Sequence, residues 1–185
     1  NINSILLAEI FKIGSKNVIL GQDSWMFLNH SAGEGDLIFN DYTYRNLLTI
    51  EELEQEQKIY QHRLSKLNKL GIDYYRIFFP NKHTIYFDKL PYRAKKCRIG
   101  TKSKADQLLS YLKSKSISII DCRSEMMKES KSKLLYIKED THWNEYGAFI
   151  AYQKLFNVIS KEHPDLRPYK ASDYEINWFN NLKSW

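Results

Sequence analysis

The sequence predicts an α/β domain, a parallel sheet with helices on both faces, from three observations. Residues 74–79 and 117–120 are short, continuously apolar or aromatic runs, the pattern of strands covered on both faces. Each run is preceded by a helical stretch that opens on a capping sequence, Thr49-Ile50-Glu51-Glu52 and Ser103-Lys104-Ala105-Asp106. A third helical stripe follows the second run. The order helix, strand, helix, strand, loop, helix requires crossovers, and crossovers join parallel strands.

The elements follow from local chemistry. Residues 18–20 and 25–28 are apolar runs separated by Gly21-Gln22-Asp23-Ser24, which is turn chemistry between hairpin strands. Residues 29–48 read as loop. Helical spacing then runs through Leu53, Tyr60, Leu64 and Leu67 and stops at Gly71. The second helix turns Leu108, Leu109 and Leu112 inward. The second strand ends at Asp121. Ligands of open α/β sheets bind outside the carboxyl ends of the strands. Asn81-Lys82, Asp121 and residues 140–143 are all expected to emerge at that edge.

The densest chemistry lies in Asp140-Thr141-His142-Trp143-Asn144. A carboxylate that accepts from the Nδ1–H of an imidazole fixes its tautomer and leaves Nε2 free to take a proton from a hydroxyl. Residues i and i+2 do not face each other on a helix, so the pair requires an extended or turned backbone at Thr141. Asn144 fits as the N-cap of the third helix, whose inward stripe is Ala148, Ala151, Leu155 and Val158. The ordinary alternative is a structural cap beside a surface histidine.

With 185 residues, 43% hydrophobic and 14% aromatic, the chain suits one domain with a sizeable core. No apolar run reaches the roughly 20 residues a membrane helix needs, and no signal peptide is visible. The chain begins at Asn1 rather than Met, as a processed product or a piece of a longer protein would. Cys97 and Cys122 are read as two thiols in preference to a disulfide. The formal charge of +6 concentrates in Arg93, Lys95, Lys96, Arg98, Lys102 and Lys104, a run that reads as a solvated loop or, beside a cleft, as an attractor of anionic polymers. No nucleic-acid signature accompanies it. No metal site is expected, because Asp140 and His142 supply two ligands while His30, His62, His83 and His163 show no companion spacing.

The segment Asp140-Thr141-His142-Trp143, with Tyr136 before it and Asn144 and Gly147-Ala148 after it, resembles the D-x-H-W block of SGNH-type polysaccharide O-acetyltransferases, the alginate O-acetyltransferase family. Residues 17–28 resemble that family's N-terminal hairpin, and Pro80-Asn81-Lys82-His83-Thr84-Ile85-Tyr86 resembles its P-x-K-x-x-I-Y segment. The resemblance implies a three-layer SGNH-hydrolase-like fold, here an incomplete domain, with residues 1–185 the N-terminal portion of a longer enzyme. It implies O-acetyl transfer to hydroxyls of a bacterial cell-surface or secreted polysaccharide by a Ser-His-Asp mechanism, with Asp140 and His142 catalytic and no cofactor. Trp143, Lys82 and Asn81 are the candidate substrate contacts. Tyr86 and Tyr136 are read as packing residues with a hydroxyl anchor.

The family's serine lies in a G-D-S-type turn well downstream of D-x-H-W, which this sequence does not reach. Asp23-Ser24 after Gly21 imitates such a turn with one insertion. The hairpin explains more positions, and an elbow needs a helix that does not follow. Partners implied by the resemblance are a polysaccharide acceptor and an acetyl donor delivered by a membrane acyltransferase, in a periplasmic or extracytoplasmic location, with any membrane anchor outside this chain. Two other readings remain beside it: a carbohydrate esterase, in which water replaces the sugar, and a non-catalytic polysaccharide-binding or assembly subunit.

Overall fold

In a computed structural model, residues 17–29, 41–45 and 47–175 are described. The first element is the expected hairpin, β1 (Val18–Leu20) antiparallel to β2 (Met26–Leu28) with Leu20 opposite Met26. Its turn places Asp23 and Ser24 at φ of 52° and 64°, and the Trp25 N–H closes on the Gln22 carbonyl at 3.0 Å. Two consecutive left-handed residues twist the chain as paired strands require. Gly21 admits no side chain, since a Cβ there would lie 2.5 Å from the Lys89 carbonyl oxygen.

Helix α1 (Ile50–Asn68) starts as read: Thr49 and Glu52 form a reciprocal capping box. It ends in a Schellman arrangement. The Ile72 N–H reaches the Leu67 carbonyl and the Gly71 N–H reaches that of Asn68, with Gly71 at φ 69°. Helix α4 (Lys104–Ser114), capped by Ser103 and Asp106, ends the same way. There the left-handed position is Ser116, at φ 59°. Ser116→Gly is therefore expected to stabilise the fold by roughly 0.5 kcal/mol, the left-handed strain relieved less the entropy glycine adds to the unfolded chain. A rise in the urea midpoint at constant slope is the check.

Strand β3 (Ile77–Phe78) pairs in parallel with β4 (Ile120–Asp121), Ile77 opposite Ile120. The parallel geometry is as predicted, but the paired segments are shorter than residues 74–79 and 117–120. Ser118 gives its carbonyl to the Tyr60 hydroxyl of α1, and Asp121 turns its carboxylate onto the Arg123 N–H, which ends pairing and starts α5 (Arg123–Glu129). Two further short helices, α2 (Lys82–Ile85) and α3 (Tyr92–Lys96), fill the connection after β3. The basic run expected as loop is thus partly helical, and residues 41–43, placed in the 29–48 loop, are helical. The remainder of 29–48 that is not described includes His30.

Helix α6 (Glu145–Glu162) packs on α5, with a Lys154–Glu125 ion pair across the contact. Its buried residues are Gly147, Ile150 and Ala151; of the stripe read from spacing Ala151 is buried, while Ala148, Leu155 and Val158 are half-buried, so the inward face is turned one step toward Gly147 and Ile150. The main core gathers Trp25, Phe27, Tyr42, Tyr86, Leu90, Met126, Leu135, Tyr136 and Ile150. A smaller one joins Tyr60, Leu112 and Ile117. Cys97 and Cys122 are free thiols, Cys122 in the main core. No helix among the described residues is long and apolar enough to cross a membrane.

Candidate active site

The loop carrying Asp140 and His142 is closed at its base like a hairpin. Tyr136 bridges Trp143 in antiparallel fashion, the Ile137 N–H donates to the His142 carbonyl at 3.1 Å, and the Asn144 N–H donates to the Leu135 carbonyl at 2.9 Å. Asn144 then starts α6. Its Oδ1 accepts from the Gly147 N–H at 2.9 Å while its Nδ2 donates to the Leu134 carbonyl at 2.8 Å, so one side chain fixes both the helix and the strand entering the loop.

Within the loop, Asp140 solves the problem of an i, i+2 pair with an Asx turn. Its Oδ1 accepts the His142 backbone N–H at 2.8 Å and faces the ring Nδ1 of the same residue at 2.5 Å. The backbone N–H and then the ring of His142 hold the Asp140 carboxyl below its ordinary range, so it is a carboxylate at neutral pH. With the carboxylate on Nδ1, that nitrogen carries the proton and Nε2 presents its lone pair. The His142 side chain is 80% exposed, and Nε2 has no hydrogen-bond partner among the described residues.

Lys82 approaches the loop from beneath. It is 3% exposed, and its Nζ lies 2.7 Å from the Met26 carbonyl, 2.7 Å from that of Ile137, 2.6 Å from that of Lys138 and 2.9 Å from that of Asp140. The rings of Trp25 and Phe27 flank the ammonium at 4.9 and 5.3 Å. Burial pulls Lys82 down to about 8, with Glu139 and Asp140 opposing the shift. The expected substrate contact is thus enclosed and spent on the protein's own carbonyls. Asn81 is also engaged internally: its Oδ1 caps α2 by accepting from the Thr84 N–H at 3.1 Å, and its Nδ2 reaches Asp41 at 3.5 Å. Trp143 is half-buried and stands edge-on to Phe79 with ring centroids 4.7 Å apart. Tyr136 donates to the Pro80 carbonyl and Tyr86 accepts from the Leu135 N–H, the hydroxyl anchors expected of them.

His83, next to the clamp, is 2% exposed between Phe27 and Tyr42. Its Nε2–H donates to the Leu28 carbonyl at 2.9 Å, its Nδ1 has no partner, and burial pulls its titration down to about 4. The unfolded chain takes up this proton near 6.5 and the folded protein only near 4, so stability is expected to decline as pH falls through that window. Urea unfolding at stepped pH should show this decline, and His83→Gln, which keeps a donor and cannot titrate, should flatten it.

Asp121 reaches the same strand-end edge but is occupied by Arg123, which also pairs with Asp106. No serine hydroxyl among the described residues bonds to His142. Ser24 is exposed at a hairpin apex followed by a strand, the turn geometry that favoured the hairpin reading. One cluster that the sequence did not disclose joins Asp73, Glu162 and His163, whose ligand atoms lie within 4.8 Å of one another. His163 is separated from Asp73 by 90 positions, so no spacing rule exposes the pair. The groups are surface-exposed or nearly so and already partnered, His163 with Asp73 and Glu162 with Tyr75.

Known proteins share the fold that carries this loop. The chain superimposes on the O-acetyltransferase domain of Pseudomonas putida AlgJ with a TM-score of 0.56 at 18% identity, covering 80% of this chain and 48% of that one. It superimposes on Bacillus cereus PatB1, solved with a sulfonyl adduct, with a TM-score of 0.56 at 20% identity, covering 88% of this chain and 50% of that one. The chain therefore spans about half the length of these solved structures, and the likeness shows that it shares their fold. No curated protein matches the sequence significantly. Residues 18–184 match the family described as SGNH hydrolase-like domain, acetyltransferase AlgX. With nine-tenths of its length inside that match, the chain belongs to the SGNH hydrolase-like acetyltransferase family of AlgX.

Proposed function

We propose that this chain supplies the base and its orienting acid to a serine-dependent O-acetyltransferase acting on hydroxyls of a bacterial cell-surface or secreted polysaccharide. The observation that carries the proposal is the Asp140–His142 pair, fixed at 2.5 Å with Nε2 free at an exposed rim. Family membership and the likeness to the AlgJ O-acetyltransferase domain favour acetyl as the group moved.

The chemistry follows from that geometry. Nε2 of His142 takes the proton of a serine hydroxyl as its oxygen attacks the donor's acetyl carbonyl. The tetrahedral intermediate collapses to a serine ester, and the imidazolium returns the proton to the departing donor oxygen. Nε2 next deprotonates the acceptor sugar hydroxyl, which attacks the ester and receives the acetyl group, and the proton returns to the serine. Asp140 holds the tautomer and stabilises the imidazolium in both halves. The serine is assigned to sequence outside the described residues. Trp143, half exposed beside Phe79, is a candidate stacking surface for a sugar ring. An extracytoplasmic location and an acetyl donor presented by a membrane acyltransferase belong to the same proposal.

Water in place of the sugar would make the protein an esterase. Full-length protein given an acetyl ester, with and without an oligosaccharide acceptor, separates the two: transfer to sugar hydroxyls in preference to acetate release supports the proposal, and acetate release indifferent to the acceptor overturns it in favour of the esterase. The unpartnered Nε2 also suits a polysaccharide-binding subunit without a working triad, which would neither transfer nor release acetyl.

A further inference from the structure

We infer that Lys82 is a positioning residue that sets the geometry of the Asp140–His142 pair by clamping four carbonyls around one buried ammonium. The inference rests on the proposed role of His142 as a base, and it assigns to Lys82 a task other than substrate contact.

An ammonium has three N–H donors, and here four carbonyl oxygens stand within hydrogen-bond distance of it. One belongs to Met26 of β2. The other three belong to Ile137, Lys138 and Asp140, the ascending limb of the catalytic loop and the catalytic acid's own peptide. The carbonyls all point inward at one charge, an arrangement that a loop without a cation would not hold, because converging carbonyl dipoles repel. The Met26 N–H also donates to the Lys138 carbonyl at 2.8 Å, so the hairpin and the loop meet on a shared seam.

The clamp acts on the chemistry through backbone dihedrals. The carboxylate of Asp140 reaches both the N–H and the ring of His142 only while its own peptide is held in the Asx turn, and Lys82 holds that peptide's oxygen at 2.9 Å. Removing the ammonium leaves four inward carbonyls without a common donor in a buried space. The loop is then expected to rotate peptides outward to water, which separates Asp140 from Nδ1. His142 itself is 80% exposed, and among the described residues its ring hydrogen-bonds only to Asp140, so its tautomer depends on this contact.

The test uses full-length protein labelled with 15N at histidine. Lys82→Met, close in volume and without donors, is expected to shift the His142 tautomer away from Nδ1–H, to lose the strongly hydrogen-bonded Nδ1 proton signal, and to lower kcat at least tenfold while KM stays within about twofold. Lys82→Gln, which restores two N–H donors, is expected to recover part of both. An unchanged His142 tautomer in folded Lys82→Met protein would overturn the inference. If neither variant folds, the wild-type ammonium decides: slowly exchanging Nζ protons with cross-peaks to residues 137–140 support the clamp, and the fast exchange of a solvated lysine refutes it. The tautomer readout needs no turnover, so a wild-type protein without acetyl transfer would remove the reading of His142 as a base, while the tautomer in Lys82→Met would still support or overturn the clamp.

Discussion

Alanine in place of His142 is expected to lower acetyl transfer by the full-length protein at least about a thousandfold while leaving its unfolding curve unchanged. The asymmetry follows from the structure. The side chain is 80% exposed and, among the described residues, its ring hydrogen-bonds to Asp140 alone, so its removal exposes no core and leaves no buried partner among them. The lost activity is the proton transfer itself. Asp140→Asn should cost a comparable factor, about 10⁴ in kcat, by another route. An amide can still accept the His142 backbone N–H, yet its NH₂ would donate to Nδ1 and force the proton onto Nε2, where it blocks the base. Steady-state kinetics of both variants, with urea melts alongside, are the measurement. Equal loss of activity and stability would assign the pair a structural task.

The second large effect concerns Gly147, in the first turn of α6. A Cβ at this position would lie 2.4 Å from the Leu135 carbonyl oxygen and 3.1 Å from the Trp143 Cβ. The obstacle is backbone and cannot swing aside. Leu135 is held by the Tyr86 hydroxyl on its N–H and by the Asn144 N–H on its carbonyl, and that carbonyl closes the base of the loop carrying Asp140 and His142. Gly147→Ala is therefore expected to destabilise the protein by about 2 kcal/mol, an overpacking penalty that exceeds the helix propensity alanine gains. Because the displaced backbone is the loop's own root, activity under fully folding conditions should fall as well. A variant as stable and active as wild type would show that the helix approaches the loop less closely than described.

What the sequence disclosed was local. The hairpin, the Thr49 capping box, the helix start at Ser103, the Gly71 stop and the Asn144 cap depend on residues within a few positions of one another, and each stands where spacing placed it. The Asp140–His142 contact was legible for the same reason, since an Asx turn needs only residues i and i+2. Strand lengths were not, because the hydroxyl of Tyr60, 58 positions before Ser118, takes the carbonyl just ahead of β4, and no local pattern marks that contact. The burial of Lys82 was not legible for a deeper reason. Its partners are carbonyl oxygens, which every residue carries, so no side-chain pattern marks a lysine destined for burial. Asn81 likewise reads equally well as a ligand contact and as the helix cap it forms.

The most direct test of the account is to trap the nucleophile. Full-length protein treated with a sulfonyl fluoride, the reagent class that leaves a sulfonyl group on an activated serine, is digested and mapped by mass spectrometry, in wild type and in His142→Ala. The account predicts one labelled serine, outside the described residues, whose labelling rate falls at least about a hundredfold without the imidazole. Labelling that proceeds equally fast in His142→Ala, or acetyl transfer by a protein in which no serine can be labelled, would contradict it.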